Sequence, residues 1–457
     1  AGITTTVDPT KDPQLSLKFW TGRNRNNKGL PGNVQAALKA DPAKRNDAQK
    51  TTLRSYYLAH VHNGTSTQFS GQRKQIAALK KQKTDIDKSA PSTMVMKEMA
   101  KPRPSYVLKR GEYDKKGEQV TANIPGFLPQ LAKLEEKRPY NRLDLARWLM
   151  RPEHPLTARV TVNRLWQQYF GVGIVRTAED FGSQGEPPTH PDLLDWMATE
   201  LVAMKWNVKQ FQKLLLTSAA YRQSSSVTPA MLEVDPENRF YARGPRFRLD
   251  AESLRDNALA VSGLLVNKLG GTGVKPYQPQ GIWKAVGYSG SNTVKYQQGK
   301  GPDQLYRRSL YTFWKRTAPP PSMITFDAPS REIFCMRRER TNTPMQALLM
   351  MNDPQFVEAA RHLGVRLMSE GGKTAAQRLA WGFRLVLTRK PNPREVATLE
   401  KTLGQLLAKF KADPEAAKQL LSVGDSEVNT QLDPGEQAAY AMISSLLLNL
   451  DETVTKN

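Results

Sequence analysis

The chain has 457 residues, with 67 Lys and Arg against 43 Asp and Glu for a formal net charge of +24, and a hydrophobic fraction of 39%. At roughly 150 residues per domain that length predicts about two to four domains, and the eight Trp and fourteen Phe exclude a disordered chain. The single cysteine, Cys335, excludes an intrachain disulfide, a cysteine zinc cluster and a C-x-x-C-H haem attachment motif.

In chain order, residues 14–28 alternate apolar and polar positions and predict one strand followed by a polar turn. A lone strand needs neighbours, so residues 1–30 are expected to be the remnant of an upstream β domain. Residues 41–62 and 68–88 predict two helices of a helical arm spanning 31–100. The second carries Phe69, Ile76, Leu79 and Ile86 near heptad spacing, with Gln72 and Lys83 at the other seam positions. Residues 101–140 form a Pro-rich extended connector, with a hairpin around RGEYDKKGE.

From residue 141 to 457 the pattern becomes mainly α, a compact multi-helix domain with a loop-rich insert at about 266–340. Asn141 caps a helix bearing Leu145, Trp148 and Leu149. The next helix is apolar on two sides, which makes it central and leaves Arg159, Asn163 and Gln167 in need of partners. Further helices start at Pro191, after Asn207, after Asp250, at Pro344 and at Pro354, and a final apolar helix covers about 436–450. The Pro191 and Asn207 helices have no turn glycine between them, and the second is rich in Phe and Leu. They predict an αα-hairpin of the core rather than a DNA-reading helix-turn-helix. No run approaches the 18 apolar residues of a membrane span, and AGITTTVDPT lacks the features of a signal peptide.

Charge is uneven. Residues 1–140 hold 26 Lys and Arg against 12 Asp and Glu, mostly lysines on solvated faces. A second focus, 307–340, holds eight basic residues and three acidic ones, interleaved with Tyr311, Phe313, Trp314, Phe326 and Phe334. Guanidinium groups bind carboxylate, sulfate and phosphate bidentately and stack on aromatic faces. Arg308, Trp314, Arg316, Arg331 and Arg338 are therefore candidate anion-binding residues, with Arg159 and Asn163 on the central helix. Their alternative role is as buried anchors paired with acids. Two acidic groupings could carry acid/base chemistry or bind a cation such as calcium. Asp180 and His190 sit on a Gly/Pro-rich loop that leads into a helix, and Glu252 and Asp256 lie four apart on one helix face. The same residues could instead make turns, caps and salt bridges. GGKT at 371–374 lacks the first P-loop glycine, the serine at 289 is not in a nucleophile elbow, and no H-E-x-x-H metal motif occurs.

Several long stretches, among them LARWLMRPEHPLTARVTVNRLWQQYFGVGIVRTAEDFGSQGEPPTHPDLLDWMA, RFRLDAESLRDNALAVSGLL, GPDQLYRRSLYTFWKRTAPPPSMITFDAPSRE and RRERTNTPMQALLMMNDPQFVEAARHL, resemble the PSD domain family. These domains form the C-terminal half of large planctomycete proteins that also carry a cytochrome-c-like domain. The resemblance covers about 135–457 and brings no established activity. It implies an exported, periplasmic or extracellular protein, with haem c on an N-terminal domain or partner absent from this chain and no cofactor within it. It also implies cytochrome-like and sulfatase-like partners. With the charge, it leads to the expectation of a module that binds or helps process acidic polysaccharide. The alternatives are a non-catalytic cell-envelope scaffold and, third, a nucleic-acid binder, which an exported location disfavours.

Overall fold

The computed structural model describes residues 16–99, 101–131, 138–288, 290 and 293–456. Among them the chain forms 21 α-helices and two small two-stranded sheets, a mainly α protein. It divides into two compact units, 1–104 and 105–457.

The first unit contains α1 (Leu17–Arg23), α2 (Gly32–Lys39), α3 (Asp47–His60), α4 (Asn63–Gln68) and α5 (Ser70–Ser89). The strand expected at the start is not formed where the chain is described: 17–23 is helical, while 1–15 lie outside the described residues. Ser16 caps this helix by accepting from the Phe19 N–H at 3.4 Å. Trp20 is buried against Tyr56 and Tyr57 of α3. Six alternating residues do not separate a two-residue from a 3.6-residue period, and the Trp20 contact decides for the helix. Val34, Ala37, Leu38 and Leu53 complete a small core.

In the second unit, β1 (Ser105–Leu108) and β2 (Lys116–Val120) make the expected antiparallel hairpin. Helix α6 (Arg142–Leu149) carries the Asn141 capping box, and Asp144 also holds Arg138 at 2.7 Å. Helix α7 (Thr157–Phe170) is central to one core, with α8 (Pro191–Ala203) and α9 (Val208–Thr217) packed around Val162, Trp166, Phe170, Leu201 and Phe211. Its start is capped by a residue outside the helix: His154 Nδ1 accepts from the N–H groups of Leu156 at 3.3 Å and Thr157 at 3.1 Å.

Helix α10 (Pro229–Val234) and strand β3 (Phe247–Arg248) lead to α11 (Ala251–Ser262). The insert follows, with the short helices α12 (Ile282–Val286), α13 (Pro302–Leu305) and α14 (Pro321–Thr325). The second core gathers α11 and α14 with α15 (Pro344–Asn352), α16 (Pro354–Glu370), α17 (Ala375–Leu387), α18 (Pro393–Ala412), α19 (Pro414–Leu421), α20 (Pro434–Leu448) and α21 (Asp451–Val454). Glycine at 364 lets α16 and α20 approach closely, since a Cβ there would meet the Ala441 backbone nitrogen at 2.8 Å. Strand β4 (Thr455–Lys456) then pairs antiparallel with β3, setting Lys456 opposite Phe247.

The insert is loop-rich, as expected, yet it is nailed into the core. Arg255 of α11 is buried and donates to Gln355 Oε1 (2.5 Å), the Leu305 carbonyl (2.6 Å), the Arg307 carbonyl (2.8 Å) and Ser309 Oγ (3.2 Å). Burial pulls its guanidinium down to about 10, against the opposing pull of Asp256. Arg307 is buried in turn, donates to the Lys268 and Gly270 carbonyls at 2.7 Å, and lies 3.7 Å from the centre of the Tyr311 ring. No described helix is long and apolar enough to cross a membrane.

Candidate anion-binding cleft

Where α7 ends, Gly171 turns the chain at φ +84, and a Cβ there would meet Phe247 Cδ1 at 2.8 Å. The missing side chain lets Phe247 of β3 pack against the helix end. Arg340 then lies over the Phe247 ring, 4.3 Å from its centroid, and donates to the Gly171 carbonyl at 2.9 Å. A cation at a helix C-terminus meets the unsatisfied carbonyls and the negative end of the dipole. Lys456, brought alongside by the β3–β4 pairing, places its ammonium 4.4 Å from the Tyr221 ring centre and 5.8 Å from that of Phe247. Burial lowers the pKa of Lys456.

These groups line an open cleft of about 810 Å³ between the two cores of the second unit. Arg164, Gln167 and Tyr169 of α7 form one wall, and 329–340 carries Arg331, Arg338 and Arg340 along another. That loop is closed at its neck by Asp327, which accepts from the Thr341 N–H at 2.7 Å and the Thr341 hydroxyl at 2.8 Å. Arg331 stacks on Trp314 at 4.3 Å, and Trp314 Nε1 donates to the Ser330 carbonyl at 3.0 Å. Ile333 and Phe334 project into solvent from the same loop.

Two carboxylates temper the charge. Glu252 takes Arg338 bidentately at 2.7 and 3.3 Å, and Asp250 lies 3.9 Å from Arg338 and 4.0 Å from Arg340. Burial pushes the Glu252 carboxyl up. Its hydrogen bonds, chiefly from Arg338, and the charges of Arg338 and Arg331 outweigh this and hold it below its usual value. Asp250 sits at the N-cap of α11 as expected, but its side chain caps nothing; it faces the arginines instead. Arg164, Arg331 and Lys456 line the cleft without a carboxylate in ion-pair range among the described residues. Gln167 is buried at its edge, and its Oε1 lacks a hydrogen-bond partner among the described residues. The arrangement suits a ligand with negative groups for the cations and flat or ring-shaped surface for the aromatics.

The residues nominated from sequence divide sharply. Arg331 and Arg338 line the cleft, while Trp314 and Glu252 lie outside its lining and hold them, Trp314 under Arg331 and Glu252 against Arg338. Asp256 does not join Glu252: one turn further along α11, it accepts from the Ser309 N–H at 2.7 Å and pairs with Arg308 at 3.4 Å, fastening the insert. Arg316 is exposed and outside the cleft lining. Asp180 closes its own turn by accepting from the Gly182 N–H at 2.7 Å. His190 packs against Tyr241 with its Nδ1 3.0 Å from the Thr189 hydroxyl. Arg159 pairs with Asp195 at 2.6 Å. Asn163, fully buried, clamps Val175 by donating to its carbonyl and accepting from its N–H, each at 2.9 Å. Sequence reasoning missed Arg164, Tyr221, Phe247 and Lys456 as cleft residues. Lys456 carried no local signal, because only the β3–β4 pairing brings it there. Among the described residues, no cluster of three or more His, Cys, Asp or Glu side chains could hold a metal ion.

A family model described as PSD1, protein of unknown function (DUF1553), matches residues 141–403, from the Asn141 cap into α18. No curated protein and no solved structure matches the chain.

Proposed function

The chain belongs to the PSD1 family of proteins of unknown function, which supplies no reaction, and from the cleft we propose that it is a binding module for acidic, sulfated or uronic, polysaccharide. One observation carries the reading: Arg164, Arg331 and Lys456 line an open cleft beside Tyr169, Tyr221 and Phe247, and none of the three makes an ion pair among the described residues, although Asp250 shares the lining. Sulfate and carboxylate groups would meet the cations, and sugar rings would lie on the aromatic faces. An extracytoplasmic location and a haem-bearing cytochrome-like domain or partner belong to the same proposal, and rest on the family resemblance. Glu252 serves here as the holder of Arg338 rather than as an acid or base.

The scaffold reading draws support from Asp180, His190, Arg159, Asn163 and Asp256, whose bonds are all local or architectural. Affinity electrophoresis through gels of sulfated, uronic and neutral polysaccharide separates the two. The binding module is retarded by the acidic gels at moderate salt and not by the neutral one; a scaffold migrates alike in all three.

A further inference from the structure

The last helix of the first unit leaves its apolar face uncovered within that unit. Helix α5 has 20 residues, and none is buried; at 1.5 Å per residue it is about 30 Å long. Phe69 at its N-cap and Ile76, Leu79 and Ile86 within it are 45%, 51%, 63% and 66% exposed. Their steps of seven, three and seven residues align them as the a and d positions of a coiled-coil seam. In proteins most helical stability comes from packing such a face rather than from intrinsic propensity.

The charges around the seam choose the occupant. The helix holds six basic residues, Arg73, Lys74, Lys80, Lys81, Lys83 and Lys88, and two acidic ones, Asp85 and Asp87. In the heptad register Lys80 flanks the seam and Lys83 lies in it, while Arg73 is turned back to the carbonyls of Thr65 and Ser66. A second copy would set one surplus of positive charge against another. A helix with carboxylates beside its apolar stripe would neutralise Lys80 and Lys83. We propose that α5 is a docking surface for an acidic amphipathic helix of another polypeptide, seated on Phe69, Ile76, Leu79 and Ile86.

The full chain can be titrated, at about 0.15 M salt to screen non-specific attraction, with two labelled acidic peptides of identical composition. One carries Ile and Leu at heptad positions flanked by Glu; the other has the same residues scrambled. Fluorescence anisotropy is expected to show the heptad peptide binding about tenfold or more tightly than the scramble. The double variant Ile76→Gln/Leu79→Gln, which keeps helix propensity, removes that difference while the helical circular dichroism and thermal midpoint stay at the wild-type values, since both side chains are exposed. Equal binding of the two peptides would overturn the proposal by reducing the effect to bulk charge. So would sedimentation showing that the chain alone dimerises and that the double variant splits the dimer, because a second copy would then be the occupant.

Discussion

Replacing Glu252 with Gln should weaken the fold and strengthen the cleft at once. The carboxylate holds Arg338 through two charge-assisted hydrogen bonds at 2.7 and 3.3 Å, with side-chain exposures of 21% and 35%. Hydrogen bonds to charged groups contribute about 1.5–3 kcal/mol when well buried; partial exposure brings the expected loss to about 1–2 kcal/mol. In a unit this large that lowers the thermal midpoint by roughly 1–3 °C. The same change removes one negative charge beside the arginines. An anion bound roughly 7 Å away would gain about 1 kcal/mol after screening, near fivefold in affinity at low salt. Calorimetric unfolding reads the first effect, and titration with a sulfated oligosaccharide at two salt concentrations reads the second. The wild-type pair also sets a pH dependence. The depressed carboxyl stabilises the fold above its unfolded value of 4.5, and this is lost as pH falls through the lower folded value. A variant with weaker or unchanged anion affinity would refute the view that Glu252 restrains the charge of an anion site.

Two further predictions test how the cleft walls are held. Arg255→Met should cost about 3–5 kcal/mol, since it strips the buried donor from the carbonyls of Leu305 and Arg307 and from Gln355; denaturant unfolding showing a loss below about 1 kcal/mol would mean the insert is anchored elsewhere. His154 caps α7 as a neutral acceptor, and burial lowers its pKa. Its contribution, about 1 kcal/mol, is therefore present above its unfolded value of 6.5 and lost as pH falls through the lower folded value. His154→Asn, which keeps an acceptor without titrating, should flatten the stability profile across that window, and an unchanged slope would remove His154 from the account.

Helices were legible in the sequence wherever caps and periodicity agreed. Asn141, Asn207 and Asp353 mark helix starts by residue type alone, and each accepts the expected backbone bond. The failure at Leu17 shows the limit: a short alternation fits either period, and the contact that decides it lies some 35 residues away at Tyr56 and Tyr57. The candidate site was half legible. Arg331, Arg338 and Trp314 stood out because they cluster within one stretch. Glu252 and Asp256 were paired by spacing, yet Arg338 and Ser309 draw them to different tasks. Lys456 and Phe247 meet across 209 positions through a two-residue strand pair that no periodicity announces. Polar residues on loops, such as Asp180 and His190, looked chemical because turns and caps use the same residue types as catalysis.

Anion binding falls to the three cleft cations that make no ion pair among the described residues, and removing them together tests it. Isothermal titration of a sulfated oligosaccharide into wild type and into Arg164→Ser/Arg331→Ser/Lys456→Met should show at least about a tenfold loss of affinity. The unfolding midpoint should fall by no more than a few degrees, because no ion pair among the described residues is broken and only the cation–aromatic contacts of Arg331 and Lys456, about 0.5–1 kcal/mol each, are lost. Equal affinity in the two proteins, with the variant folded, would place the anion site outside this cleft.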